Sequence, residues 1–230
     1  MMKSGWMGIL AVLCMATQVF SADATVLKTD KDKISYILGI NMGNHFKKDA
    51  IDVNADMLMK GFKDALSGAK PLLSNEEMAS AMTLFQKEMM AKQAEKIKVA
   101  GEKNKKAGET FLSENSKKDG VVTLKSGLQY KVITEGTGKM PKESDTVTTH
   151  YRGTLVDGTE FDSSYKRGEP VSFPVNGVIP GWTEALQLMK TGSKWQLFIP
   201  SDLAYGENGP EPIGPNAALI FDVELISVAE

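Results

Sequence analysis

Apolar residues in the first third of this chain recur at steps of three and four. Ile34, Ile37, Leu38, Met42 and Phe46 form one such series. Val53, Met57, Leu58, Phe62, Ala65 and Leu66 form a second, which closes at Gly68 and Pro71. Each series is the signature of one face of an amphipathic helix. Two short helices bury too little apolar surface to stand alone. Their Met and Phe positions therefore need a partner surface, most simply a second copy of the chain. Ser74-Asn-Glu-Glu77 reads as a capping box opening a third, much longer helix. Met78, Met82, Phe85 and Met89 line its first half, but from Ala91 to Gly108 only Ile97 and Val99 are sizeable apolar residues. Gly101 and Gly108 each cost a helix interior about 1 kcal/mol relative to Ala. The pattern predicts a packed first half and a solvated second half acting as a spacer, about 60 Å long in all.

After Lys118-Asp-Gly120 the period changes to two. Leu128–Ile133, Val147–Tyr151 and Leu219–Val228 alternate as strands with one buried face. Asp157-Gly158 between two of these segments is a hairpin signal. Gly181–Met189 is the one clear helix in this half. A sheet wrapped on a single short helix makes an α+β domain. The division predicted is 23–73 helical, 74–118 long linker helix and 119–230 sheet domain. Charge supports a break near Gly120. Residues 23–119 carry 17 basic and 15 acidic side chains, whereas residues 120–230 carry 9 and 14.

The start of the chain has a separate purpose. Lys3 precedes an apolar run from Met7 to Phe20, too short to span a bilayer but suited to a signal peptide. Cleavage is expected between Ser21 and Ala24, so residues 1–22 are assigned to export. The only cysteine, Cys14, lies in this segment. The mature chain then has no thiol, which excludes disulfides, thiol nucleophiles and cysteine-ligated metal. No HExxH or GxSxG motif is present, and Gly136-Thr-Gly-Lys139 lacks the other residues of a phosphate loop. His45 and His150 fall in different segments, which argues against zinc. Basic residues do not cluster with aromatics in the sheet region, so no nucleic-acid partner is expected. Any activity must come from shape and apolar environment.

Aromatic residues concentrate in the last domain, within three strings: YRGTLVDGTEFDSS, VIPGWTEALQLM and LAYG…IGPNAALIFDVELI. In order and spacing these resemble the FKBP family of prolyl isomerases. The preceding DKDKISY, the methionine-rich helices and the long linker resemble its Mip-type members, which are dimeric and exported by bacteria. The resemblance implies a half-open barrel of five or six strands around one helix, with a shallow apolar pocket between them. It implies pocket walls from Tyr151, Phe161, Val178, Ile179, Tyr205, Ile213 and Phe221, with Trp182 as the floor. Asp162 and Tyr205 are the implied catalytic polar contacts, Arg167 supports Asp162, and the Ile179 amide bonds a substrate carbonyl. Implied partners are proline-containing polypeptides, rapamycin-type macrolides and a second copy bound through residues 23–73. No cofactor or metal is implied. The expected location is the periplasm, outer membrane or cell surface of a Gram-negative bacterium, with chaperone-like behaviour and a virulence role. The competing reading is a non-enzymatic chaperone or host-surface binding module using the same pocket.

Overall fold

The computed structural model describes residues 27–229, and the expected signal peptide lies outside them. The chain forms two compact units, one ending at Ser74 and the other running from Asn75 to the C-terminus. In the first unit, α1 spans Asp30–Lys48 and α2 spans Ala55–Ser67. Thr29 and Asp32 close a capping box at the start of α1, and Asn54 caps α2 through the Met57 amide. The α2 helix stops at Gly68, whose φ of 69° is the left-handed conformation that glycine adopts without strain. Neither helix buries a residue. Among the described residues no helix is long and apolar enough to cross a membrane.

The second unit opens with α3, Asn75–Asn115, a 41-residue helix that follows the Ser74 cap signal. Its second half is not solvated all round, contrary to the spacer expectation. Gly101, Gly108 and Asn115 are buried. A Cβ on Gly108 would stand 2.9 Å from the Ala218 side chain, so the missing side chains are what let the helix lie flat on the sheet domain. Phe111 packs on Phe198 with ring centroids 5.9 Å apart. The buried Asn115 donates to the Gln129 side chain, which in turn donates to the Leu112 carbonyl.

The remainder is one antiparallel sheet of seven strands, more than the five or six expected, because short β1 and β5 join its margins. The strands are β1 (Val121–Thr123), β2 (Gln129–Thr134), β3 (Thr146–Leu155), β4 (Glu160–Ser163), β5 (Val171–Pro174), β6 (Lys194–Ile199) and β7 (Leu219–Ala229). Their order is β1-β2-β6-β7-β3-β4, with β5 also paired to β3. The Asp157-Gly158 turn joins β3 to β4; Gly158 has φ 88°, and the Thr159 amide donates to the Asp157 carboxylate. One edge of β3 runs along β7, while the other changes partner, from β5 at 146–149 to β4 at 152–154. In the gap between these partners the Tyr151 amide donates to Ser164 Oγ (2.7 Å), and that hydroxyl donates back to the Tyr151 carbonyl (3.1 Å). A short turn of helix, α4 (Ser164–Arg167), begins there, and α5 spans Pro180–Leu186. The α5 helix is three residues shorter at its C-terminus than its apolar pattern suggests, since Leu188 and Met189 close tighter turns onto Ala185 and Leu186. Its Trp182, Ala185 and Leu186 enter the core with Leu197, Ile199, Val223 and Leu225.

Candidate functional site

A cavity of about 400 Å³ opens between α5 and the inner face of the sheet. Pro180 at the first position of α5 suits a helix start, where its missing N–H costs nothing. The preceding Ile179 is the cap residue, and its carbonyl accepts from the Trp182 and Thr183 amides. Among the described residues no protein acceptor takes the Ile179 N–H. That places a free donor at the cavity edge.

The base of the cavity is an edge-to-face aromatic cluster around Trp182, which is 4% exposed. Tyr151, Phe173 and Phe221 meet its ring at centroid distances of 5.4, 5.4 and 5.2 Å, and Phe161 meets Phe221 at 5.5 Å. Such crossings favour the partly positive ring edge against the negative face and lock the rings relative to one another. Gly153 makes this packing possible. It lies opposite Phe221 in the β3–β7 register, and a Cβ there would come within 2.7 Å of both the Phe161 and Phe221 rings.

The polar groups are few. Tyr151 donates its phenol proton to Asp162 Oδ2 at 2.5 Å, and Arg167 binds both the other Asp162 oxygen and the Tyr151 hydroxyl, the latter at 2.7 Å. Burial would raise the Asp162 carboxyl, but the hydrogen bonds from Tyr151 and Arg167 and the guanidinium charge outweigh it and hold the group below its ordinary range. The Tyr151 phenol is pushed up, first by burial and then by the neighbouring carboxylate. At neutral pH the site therefore holds an ionised carboxylate and a protonated phenol. Neither is poised to exchange a proton. Tyr205, on the opposite rim, is 42% exposed.

The sign of the Asp162 shift makes a prediction. Stability contributed by a depressed carboxylate is present above its ordinary value and is lost as pH falls through the lowered one. An Arg167→Leu variant will titrate Asp162 at higher pH than the parent, read from the Asp162 carboxyl carbon by NMR. An unchanged titration would mean that Arg167 is not what holds the group down.

Of the residues singled out in the sequence, the structure brings Tyr151, Phe161, Asp162, Val178, Ile179, Trp182, Tyr205 and Phe221 to this one cavity. Arg167 stands behind Asp162. Ile213, expected in the wall, is buried in the same core cluster as Trp182 and Phe221 and is not among the residues lining the cavity. Phe173 and Gly177 line the cavity but were not singled out. Phe173 sits at the second-last position of a four-residue strand, too short for alternation to mark it. Gly153 also stands within one of the strings quoted above. Its signal, a glycine inside a strand pattern, points to close approach of another group.

Comparison with known proteins agrees with this architecture. A family model described as FKBP-type peptidyl-prolyl cis-trans isomerase matches residues 137–226. A second, described as the domain amino terminal to FKBP-type peptidyl-prolyl isomerase, matches residues 31–132. The outer membrane protein MIP of Legionella longbeachae is 53% identical over 217 residues, covering 94% of this chain and 93% of that protein. The peptidyl-prolyl cis-trans isomerase Mip of Coxiella burnetii is 46% identical over 206 residues, 89% of this chain and 90% of its own. The crystal structure of FkpA from Escherichia coli superposes with a TM-score of 0.71 at 40% identity, over 89% of this chain and 99% of that one. Likeness at this level, running through helices and sheet domain alike, makes this chain a member of the FKBP-type peptidyl-prolyl cis-trans isomerases.

Proposed function

We propose that this isomerase turns X–Pro bonds in exported polypeptides by binding the twisted amide in the Trp182 cavity, as a dimer with one cavity on each protomer. The observation that carries the catalytic part is an apolar cavity edged by a free Ile179 N–H, whose Asp162 carboxylate and Tyr151 phenol are both held away from proton exchange at neutral pH. Rotation about an amide must cross about 18–20 kcal/mol because resonance is lost, whereas the X–Pro ground states differ by about 0.5–1 kcal/mol. The twisted amide is less polar than the planar one. A water-poor aromatic surface therefore binds it better than it binds either ground state. The proline ring rests on Trp182 between Tyr151, Phe161 and Phe221, the Ile179 amide binds a substrate carbonyl, and the Tyr205 hydroxyl takes the carbonyl preceding proline. Asp162, held by Tyr151 and Arg167, fixes the Tyr151 ring and presents negative charge at the cavity edge.

The dimer reading rests on the helical unit. Ile34, Ile37, Leu38, Met57, Phe62 and Leu66 are each more than half exposed, an apolar surface of the kind that marks an interface. The signal-like first residues and the name of the Legionella relative favour export to the periplasm or outer membrane. Two cavities in one particle hold an unfolded client better than one, through effective concentration. This accounts for chaperone-like action. Macrolides of the rapamycin type compete for the same cavity.

A protease-coupled assay on a proline tetrapeptide, with and without rapamycin, tests the site. The parent accelerates the reaction inhibitably, and Tyr205→Phe loses about fivefold, as expected for one hydrogen bond worth about 1 kcal/mol. No inhibitable acceleration would sink the assignment. Deleting residues 23–72 is expected to leave an active monomer; a dimer in sedimentation would mean that the interface lies elsewhere.

A further inference from the structure

The second half of α3 does more than carry the sheet domain. Gly101, Asn104 and Gly108 share one face of the helix, at steps of three and four. A Cβ on Gly101 would stand 3.1 Å from Asn216 Nδ2 and 3.6 Å from the Pro215 ring, so the helix backbone runs directly against this segment. Between these glycines the Asn104 side-chain amide donates to the Pro215 carbonyl at 2.9 Å. The next residue, Asn216, has φ 53°, a left-handed conformation that asparagine tolerates better than most residues. Its amide donates to the Gly206 carbonyl at 2.7 Å. That bond closes the base of the loop 206–216. Inside the loop lie a single 3-10 turn at Gly206–Asn208 and backbone bonds from Ile213 and Gly214 to Pro210. Gly206 directly follows Tyr205, the exposed aromatic on the cavity rim.

We infer that Asn104 is a positioning residue for the isomerase site: by holding Pro215 it sets the base of the 206–216 loop and, through Gly206, the stance of Tyr205. The long helix thereby tunes which residue before proline the cavity accepts. This deepens the proposed function and rests on Tyr205 contacting the substrate. The buried Ile213 and short turns anchor the far part of the loop, whereas α3 offers its base a rigid external reference. Set between Gly101 and Gly108, the Asn104 amide reaches the Pro215 oxygen where the helix backbone lies against this segment.

The test uses the full-length protein and a panel of tetrapeptides differing only in the residue before proline. Asn104→Asp keeps the shape but removes the donor, and Asn104→Ala removes both. Each is expected to lose about threefold in kcat/KM, chiefly through KM and unequally across the panel. Glu102→Ala, on the exposed face of the same helix, is expected to match the parent. In a Tyr205→Phe background the Asn104 loss shrinks, because residues acting through one another are not additive. Wild-type rates in both Asn104 variants would overturn the inference. So would a uniform loss across the panel, or a loss of the same size in both backgrounds. If Tyr205→Phe alone costs nothing, the site assignment fails and takes the inference with it; if only the Asn104 variants are silent, the site stands and the inference falls.

Discussion

A Gly153→Val enzyme will lose most of its isomerase activity at temperatures where it is still folded. The position has no unusual backbone requirement, since Gly153 is absent from the positive-φ glycines. What it needs is space. A single Cβ would meet both the Phe161 and Phe221 rings at 2.7 Å, so at least one ring must shift. Phe221 is 4% exposed and crosses Trp182, so displacing it reshapes the base of the cavity. Overpacking of this kind costs about 1–3 kcal/mol in stability, which a domain of this size can tolerate. The activity has no such margin, because it depends on the fit of those rings to a twisted amide. A loss of at least about tenfold in kcat/KM, or about 1.4 kcal/mol of transition-state binding, is expected. It should be accompanied by weaker inhibition by rapamycin. Parental activity in Gly153→Val would show that the aromatic cluster is core alone and not a binding surface.

The second large effect concerns where the sheet domain begins. A fragment starting at Asp119, the boundary suggested by charge and by the change of period, will be markedly less stable than one starting at Asn75. Removing α3 takes away the Phe111–Phe198 contact, the flat approach of Gly108 to Ala218, and both partners of the Gln129 amide. Uncovering one large aromatic and losing a few hydrogen bonds amounts to about 2–4 kcal/mol. For a domain of this size that lowers Tm by about 10 °C or more. Calorimetry on the two fragments decides the matter. Equal melting temperatures would mean that the helix merely rests on the sheet.

The contrast between these two predictions shows what could be read from the residues. Helix starts and hairpin turns were legible because their chemistry is local, as at Ser74-Asn-Glu-Glu77 and at Asp157-Gly158 respectively. The cavity was legible mainly through its family strings, since Trp182 or Phe221 alone would pass as ordinary core. Gly101 and Gly108 were misleading because propensity counts glycine as a helix penalty, whereas tertiary packing uses it as a flat surface. Asn104 gave no signal in a charged run. Its importance depends on an oxygen 111 residues away in sequence. Ile213 gave no local signal either, because no periodicity extends through its proline-rich loop.

The Ser164 hydroxyl that fills the gap along β3 has a consequence for an enzyme that handles extended chains. An open sheet edge is a template on which a passing polypeptide adds itself as another strand. At Tyr151, beside the cavity, both backbone groups are already satisfied by one side chain. A client therefore finds rings and a lone amide there, but no ladder to zip onto. Next to the cavity, strand addition to β3 at this position is closed off by a side chain rather than by a neighbouring strand.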